Sequence, residues 1–448
     1  MEAKAAPELP QDVLDVIMEK MNTFGDRQSL RQCALAARCL LPAAQRILFR
    51  RIMLYEASPW WPRGSRTNQF ISLVKSSPHL AKYITELRLL VFYLDSPSEW
   101  DDAQSRKPLA PIIPHLHSLQ KLQLNLVLRF DPTMAMVPVS SLQVFTFLGG
   151  TAMPRITSFS LSGSFPIDMN EVFGICEWLA AHGGLQDLRL DLESLRGLTT
   201  SPRTVSDPVK TVTPIYLRKL TITASQGITE EVLRWATSSI SPLRFHELHE
   251  LTVGNLTEQS SVYLLCILNT AKSSITCLRF KGSIPSLSAF HFNSFRHLRC
   301  IAYDHHLFNF EHSRTKLDEW CALLKRSREL RLESFIIQTN TNYKGSPLGD
   351  HLATFPNYPW NKLEDALVNG TKCRQVEIRI IMSHVRMGSD TLRECFPLLH
   401  DKSVGELVVR QRLSLLGSGE LMGWEYSSYS GEWKNVPFES LLDLNAFW

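Results

Sequence analysis

Along most of the chain, apolar residues recur in one short figure: an apolar position, two residues, a second apolar position, one residue, a third. It reads ITELRL from Ile84, LQKLQL from Leu119, LQVFTF from Leu142, ITSFSL from Ile156, LQDLRL from Leu185 and LRKLTI from Leu217. It continues as LHELTV from Leu248, ITCLRF from Ile275, LRCIAY from Leu298, LESFII from Leu332, CRQVEI from Cys373 and VGELVV from Val404. The last three residues of each hexamer alternate as a strand does. Most of the hexamers follow one another at about 30 residues, without a strict period. Amphipathic stretches lie between several of them. NEVFGICEWLAAHGG starts at Asn170, an N-cap residue, and stops on Gly183 and Gly184. TEEVLRWATSSI starts at Thr229 with Glu230 and Glu231 in its first turn, and further helices are expected after Thr67 and after Thr257. TKLDEWCALLKRSREL sets Leu317, Trp320 and Leu324 at helical spacing.

A strand and a helix, repeated, predict an α/β fold of the leucine-rich-repeat type, a solenoid curved as a horseshoe. A mixed α/β domain also alternates helices with strands, so the discriminating positions are those between the apolar ones. They are mostly polar: Glu86, Arg88, Lys121, Gln123, Asn125, Ser158, Ser160, Ser162, Asp187, Arg189, Asp191, Lys219, Thr221, Thr223 and onward. A doubly wound sheet, covered on both faces, reads instead as nearly continuous apolar runs. The solenoid is therefore favoured, and its concave face is the expected binding surface. Arg88, Gln123, Asp187, Arg189, Asp191, Lys219, Arg279 and Lys281 are the candidate ligand-facing residues there. Asparagine, expected eight residues after each first apolar position, stands there only as Asn340, so no asparagine ladder is expected and the stack is irregular. Tyr93 to His115, Glu193 to Tyr216 and Thr339 to Asn361 interrupt the pattern as long polar loops. The final segment, 416–448, fits no repeat and is expected to be a cap or tail.

The first 56 residues follow another pattern. LPQDVLDVIMEKM reads as a helix with Pro10 in its first turn, and Val13, Leu14, Ile17, Met18 and Met21 cover more than one of its faces. DRQSLRQCALAAR, from Asp26, reads as a second helix, and PAAQRILFRRI, from Pro42, as a third. Three helices in so short a stretch enclose little core, and their surplus apolar surface points to a partner or to packing on the first repeats. The net charge of +4 is small for 448 residues and gives no ground for a nucleic-acid partner. The longest apolar run, Val262 to Leu268, is far below the ~20 residues that span a membrane. MEAKAAPELP carries no secretory signal pattern. Nine cysteines without a CxxC pair suit a reducing compartment, cytoplasmic or nuclear. No nucleotide-binding, zinc-protease or nucleophile-elbow motif occurs, and no cofactor is expected. His291, His297, Cys300, His305, His306 and His312 alternate with core aromatics, and core packing accounts for them better than metal ligation. Cys277 and Cys300 hold equivalent strand positions in consecutive repeats.

The N-terminal stretch, with Leu9-Pro10, Val13, Leu14, Ile17, Ser29-Leu30, Cys33, Leu35, Arg38, Leu48-Phe49 and Ile52, resembles an F-box of the kind found in fungal proteins. Leu40 stands where many F-boxes carry Trp. The resemblance implies an F-box over 1–56, a substrate-binding repeat region over 57–415 and a tail over 416–448. It implies a non-catalytic substrate receptor of an SCF (Skp–cullin–F-box) ubiquitin ligase. Its partners would be a Skp-family adaptor, a cullin–RING complex reached through that adaptor, and an unidentified protein substrate. The adaptor-binding residues so implied are Leu9, Pro10, Val13, Leu14, Ile17, Leu30, Cys33, Leu35, Arg38, Leu40, Leu41, Leu48 and Ile52. The alternative is a non-degradative Skp-bound scaffold or a repeat-type interaction module.

Overall fold

The computed structural model describes residues 10–23, 27–55, 66–93, 115–128, 155–163, 169–182, 184–192, 214–285, 287–305, 310–340, 358–371, 373–383, 389–400, 406–414 and 421–436. The LQVFTF hexamer, most of the three long polar loops and the last twelve residues lie outside them. The fold is mixed α/β, built on mostly parallel strands. The chain divides into two compact units, residues 1–215 with 240–242, and residues 216–239 with 243–448.

In the first unit, helices α1 (Gln11–Thr23), α2 (Arg27–Ala36) and α3 (Leu41–Arg50) are followed by β1 (Arg51–Tyr55), α4 (Arg66–Ser76), β2 (Glu86–Tyr93), β3 (Lys121–Leu128), β4 (Ser158–Gly163), α5 (Met169–His182) and β5 (Asp187–Leu192). Strands β1 to β5 are parallel and pair in chain order. The third helix, expected to run to Ile52, stops at Arg50, and Arg51–Tyr55 pairs with Glu86–Leu90. The described residues on both sides of the boundary expected after residue 56 lie in the first compact unit.

The second unit runs β6 (Lys219–Ala224), α6 (Gln226–Thr237), β7 (Glu250–Gly254), α7 (Glu258–Ala271), β8 (Cys277–Lys281), β9 (Cys300–His305), α8 (Phe310–Arg326), β10 (Ser334–Asn340), α9 (Trp360–Asp365), β11 (Gln375–Ser383), α10 (Ser389–Cys395) and β12 (Glu406–Ser414). Strands β6 to β12 are again parallel and in chain order, so no crossover reverses direction. The segment expected as a cap supplies two antiparallel strands, β13 (Leu421–Ser427) and β14 (Glu432–Val436), which extend the sheet beyond β12.

Each described strand that follows a hexamer begins two residues after the hexamer's first position, and the reason is burial. Ile84, Leu87 and Leu89 are buried, as are Leu248, Leu251 and Val253, and Leu298, Ile301 and Tyr303. The apolar strand rows pack on helices: Trp320 of α8 meets Phe280 at 5.8 Å, Tyr303 at 5.4 Å and Phe335 at 5.6 Å between ring centroids. One backbone device recurs at the strand starts. The carbonyl of the residue just before a strand accepts two N–H groups from the next repeat. The Thr85 carbonyl takes Gln120 and Lys121, Gln120 takes Thr157 and Ser158, His249 takes Thr276 and Cys277, and Thr276 takes Arg299 and Cys300.

One expectation about turns needs correcting, and one asparagine bond lies outside the pattern. Thr229 does not cap α6, which starts at Gln226 after an extended Ser225. Thr229 is buried one turn in, and its hydroxyl donates to the Gly254 carbonyl at 3.0 Å. An asparagine does knit turns together, at Asn255, seven residues after Leu248. Its Nδ2 donates to the Ala224 carbonyl at 2.7 Å, and its Oδ1 accepts from the Ser283 N–H at 3.2 Å. Asn255 has a left-handed φ of 48°, which asparagine tolerates. Gly282 is needed beside it, at φ 64°, because a side chain there would meet the Asn255 amide.

Helix α7 opens on a reciprocal cap. The Ser260 N–H donates to Thr257 Oγ1 at 3.0 Å and the Thr257 N–H to Ser260 Oγ at 2.6 Å, while the Thr257 hydroxyl donates to Glu230 at 2.8 Å. Thr257→Ala is expected to lower stability by about 1 kcal/mol, read as a shift in the urea midpoint at unchanged slope.

Candidate functional site

Helices α1 to α3 share a small core of Met18, Leu30, Ala43, Ala44 and Ile47, with Met21, Cys33, Ala34, Leu40 and Leu48 packed against it. The two alanines present little side chain on the inner face of α3, which favours close helix approach. Arg46 of α3 pairs with Asp15 of α1 at 2.6 Å. The hydrogen bonds from Arg46 and then Gln11 hold the Asp15 carboxyl below its usual range. This core changes the candidate docking set. Leu30 is 1% exposed and Leu14 is also buried, so both face the protein's own interior and leave the set of outward contacts. Cys33, Leu40 and Leu48 are half-buried against the same core. Ile52 is a half-buried strand residue of β1, paired with Leu87, and not part of a helix face. Leu9 lies outside the described residues.

What remains outward is apolar. Val13, Val16 and Ile17 of α1 are exposed and, three and four residues apart, share one helix face. Leu35 at the end of α2 is 89% exposed, and Leu41 opens α3 exposed as well. Pro10 and Arg38 are exposed. Pro10 stands just before α1, where its carbonyl accepts the N–H groups of Val13 and Leu14 at 3.1 and 3.2 Å. Val16, 61% exposed, was not among the sequence candidates, although its spacing from Val13 marks it.

The polar positions of the first unit's strands align across the sheet. Glu86, Lys121, Ser158 and Asp187 form one row; Arg88, Gln123, Ser160 and Arg189 the next; Asn125, Ser162 and Asp191 a third. Much of their hydrogen-bonding capacity is spent on one another. Arg88 Nε donates to Glu86 at 2.7 Å, Gln123 Nε2 to Asn125 at 3.1 Å, Ser158 Oγ to Asp187 at 3.0 Å and Arg189 Nη2 to Asp191 at 2.8 Å. All eight of these groups are half-buried or buried.

In the second unit, Lys219 pairs with Glu250 across β6 and β7 at 3.0 Å. Arg279 Nε donates to Cys277 Sγ at 3.2 Å on the same strand. Lys281 is only 9% exposed, in register with Gly254 of β7, so it is withdrawn from the ligand-facing set. Farther along, Arg379 donates to both oxygens of Glu377 at 2.8 and 3.1 Å. Arg410 bridges Glu377 at 2.9 Å and Glu425 at 2.8 Å. The sequence places Glu377 and Arg379 among the polar positions of the strand face, alternating with Val376 and Ile378, but does not mark them as a paired cluster. The ligand-facing candidates thus fall into two sets, one in each unit.

Among the described residues, no group of three or more His, Cys, Asp or Glu side chains is placed to hold a metal ion. His291 and His297 are exposed, and Cys300 faces its strand neighbour Cys277. No described helix is long and apolar enough to cross a membrane. Compared with protein families and with curated proteins, the chain matches no family model and no curated sequence.

Proposed function

We propose that this chain is the substrate-receptor subunit of an SCF ubiquitin ligase. The observation that carries the reading is the apolar exterior of the N-terminal helices: Val13, Val16, Ile17, Leu35 and Leu41 are exposed within the segment that resembles an F-box. Large aliphatic side chains left in water on so small a bundle are favourable only once a partner covers them. In this reading the Skp-family adaptor covers them, and the cullin–RING complex follows through the adaptor. The parallel strands in chain order within each unit, with buried apolar residues alternating with mostly polar ones, support an irregular leucine-rich-repeat-like solenoid as the substrate-holding part.

The chain then performs no bond chemistry. It holds a target protein so that a lysine of that target meets a ubiquitin thioester carried by another subunit at high effective concentration. Internal pairing on the strand faces moderates one expectation. Arg88, Arg189 and Lys219 each have an acidic partner within the protein, so a ligand there must exchange pairs rather than meet idle charges. Affinity purification of the tagged chain from eukaryotic cells, with the co-purifying subunits identified by mass spectrometry, tests the reading. Adaptor and cullin in stoichiometric yield are expected. Recovery of the chain alone, or with partners lacking both, would overturn it.

A further inference from the structure

Cys277 and Cys300 occupy directly opposed positions on the parallel strands β8 and β9, on the face that also carries Arg279, where Cys277 is buried and Cys300 packs against Ala302 and Ile336. Neighbouring strands run about 4.8 Å apart, inside the Cα separation of about 4.4–6.8 Å that a disulfide spans. Arg279 Nε donates to Cys277 Sγ at 3.2 Å. The groups facing the pair are few. Glu250 of β7 stands beside Cys277, held by Lys219 at 3.0 Å, and Ser334 of β10 stands beside Cys300.

We infer that Cys277 and Cys300 form a reversible redox pair, in which a peroxide oxidises Cys277 and Cys300 closes a disulfide between β8 and β9. Cys277 is the attacking member. The hydrogen bond from Cys300 and the adjacent Arg279 cation stabilise its thiolate and lower its pKa, while the same hydrogen bond and burial push Cys300 up. Three buried cysteines are the reverse. Burial raises Cys176, Cys321 and Cys373 to about 12, which makes them inert. In the first step the Cys277 thiolate attacks one peroxide oxygen; an S–O bond forms, the O–O bond breaks, and the departing hydroxide takes a proton to become water. In the second, the Cys300 sulfur attacks Cys277 Sγ; the S–S bond forms, and the hydroxyl leaves with the Cys300 proton as water. Two thiols and one peroxide become one disulfide and two waters.

The test uses the reduced full chain and hydrogen peroxide, followed by non-reducing peptide mass spectrometry. A peptide joining Cys277 to Cys300, two hydrogens lighter and released by dithiothreitol, is expected before any oxidation of exposed Cys266. In Cys300→Ser, which keeps a hydrogen-bonding group, a sulfenic acid trapped by dimedone is expected at Cys277. Arg279→Gln is expected to slow Cys277 oxidation at least about tenfold at neutral pH, with circular dichroism unchanged. Two outcomes would overturn the inference: both cysteines still thiols when Cys266 is oxidised, or Cys277 bridged to a different cysteine.

Discussion

Ile17→Asp combined with Leu41→Asp is expected to weaken capture of the Skp-family adaptor at least about a hundredfold while leaving the three helices folded. Both side chains are exposed, so a carboxylate on either remains solvated in the free protein and costs little. Once the partner covers them, the carboxylates lose water without gaining a cation, at several kcal/mol each, and 1.4 kcal/mol is a factor of ten in affinity. Leu30→Asp is the instructive contrast. Leu30 sits in the bundle core with Met18, Ala43, Ala44 and Ile47, so that substitution unfolds the bundle. Loss of capture by Leu30→Asp would therefore carry no information about the docking face. Far-ultraviolet circular dichroism and pull-down on the same samples separate the two cases: the double variant keeps its helicity and loses the adaptor.

Glu377→Ala is expected to destabilise the second unit by about 3–5 kcal/mol, the range for breaking a buried ion pair from one side. Glu377 binds Arg379 through two hydrogen bonds and Arg410 through a third, with the Glu377 and Arg379 side chains 7% and 10% exposed. Removing the carboxylate leaves the Arg379 guanidinium buried without its bidentate acceptor. Arg410 loses less, because Glu425 still accepts from it at 2.8 Å. Replacing Glu377 and Arg379 together by methionine is expected to recover most of the loss, since exchanging a buried pair for apolar side chains is often neutral or stabilising. Urea unfolding gives the size of the effect, and amide hydrogen exchange should place the loosening on β11 and β12.

Much of the strand pattern is legible in the sequence because it has a strong physical cause. Positions one, four and six of each described hexamer face the apolar interior, so burial enforces them. Three of the longer strands escaped that pattern. Arg51–Tyr55 follows α3 with no turn residue between them, so its apolar residues read as a continuation of the helix. Leu421–Ser427 and Glu432–Val436 pair antiparallel around a short turn, outside the parallel strand order that the hexamers mark. Asn255 was missed because it stands one residue earlier than the repeat pattern places it. The exposed apolar face of the N-terminal helices was legible in quantity but not in direction. The sequence holds more apolar residues than three helices can bury, yet it does not say that Leu14 and Leu30 turn inward while Val16 turns out. That choice depends on how α1, α2 and α3 pack on one another. The strand faces were legible as polar, but not as paired: the bonds from Ser158 to Asp187 and from Lys219 to Glu250 join strands 29 and 31 residues apart.

The most direct test of the central claim is to mix the purified full-length chain with a purified Skp-family adaptor bound to the N-terminal part of its cullin, and to titrate the interaction calorimetrically. The account predicts a one-to-one complex with Kd below about 1 μM, about −8 kcal/mol, which Ile17→Asp with Leu41→Asp removes. No heat and no co-elution at tens of micromolar, from a chain whose circular dichroism shows it folded, would contradict it.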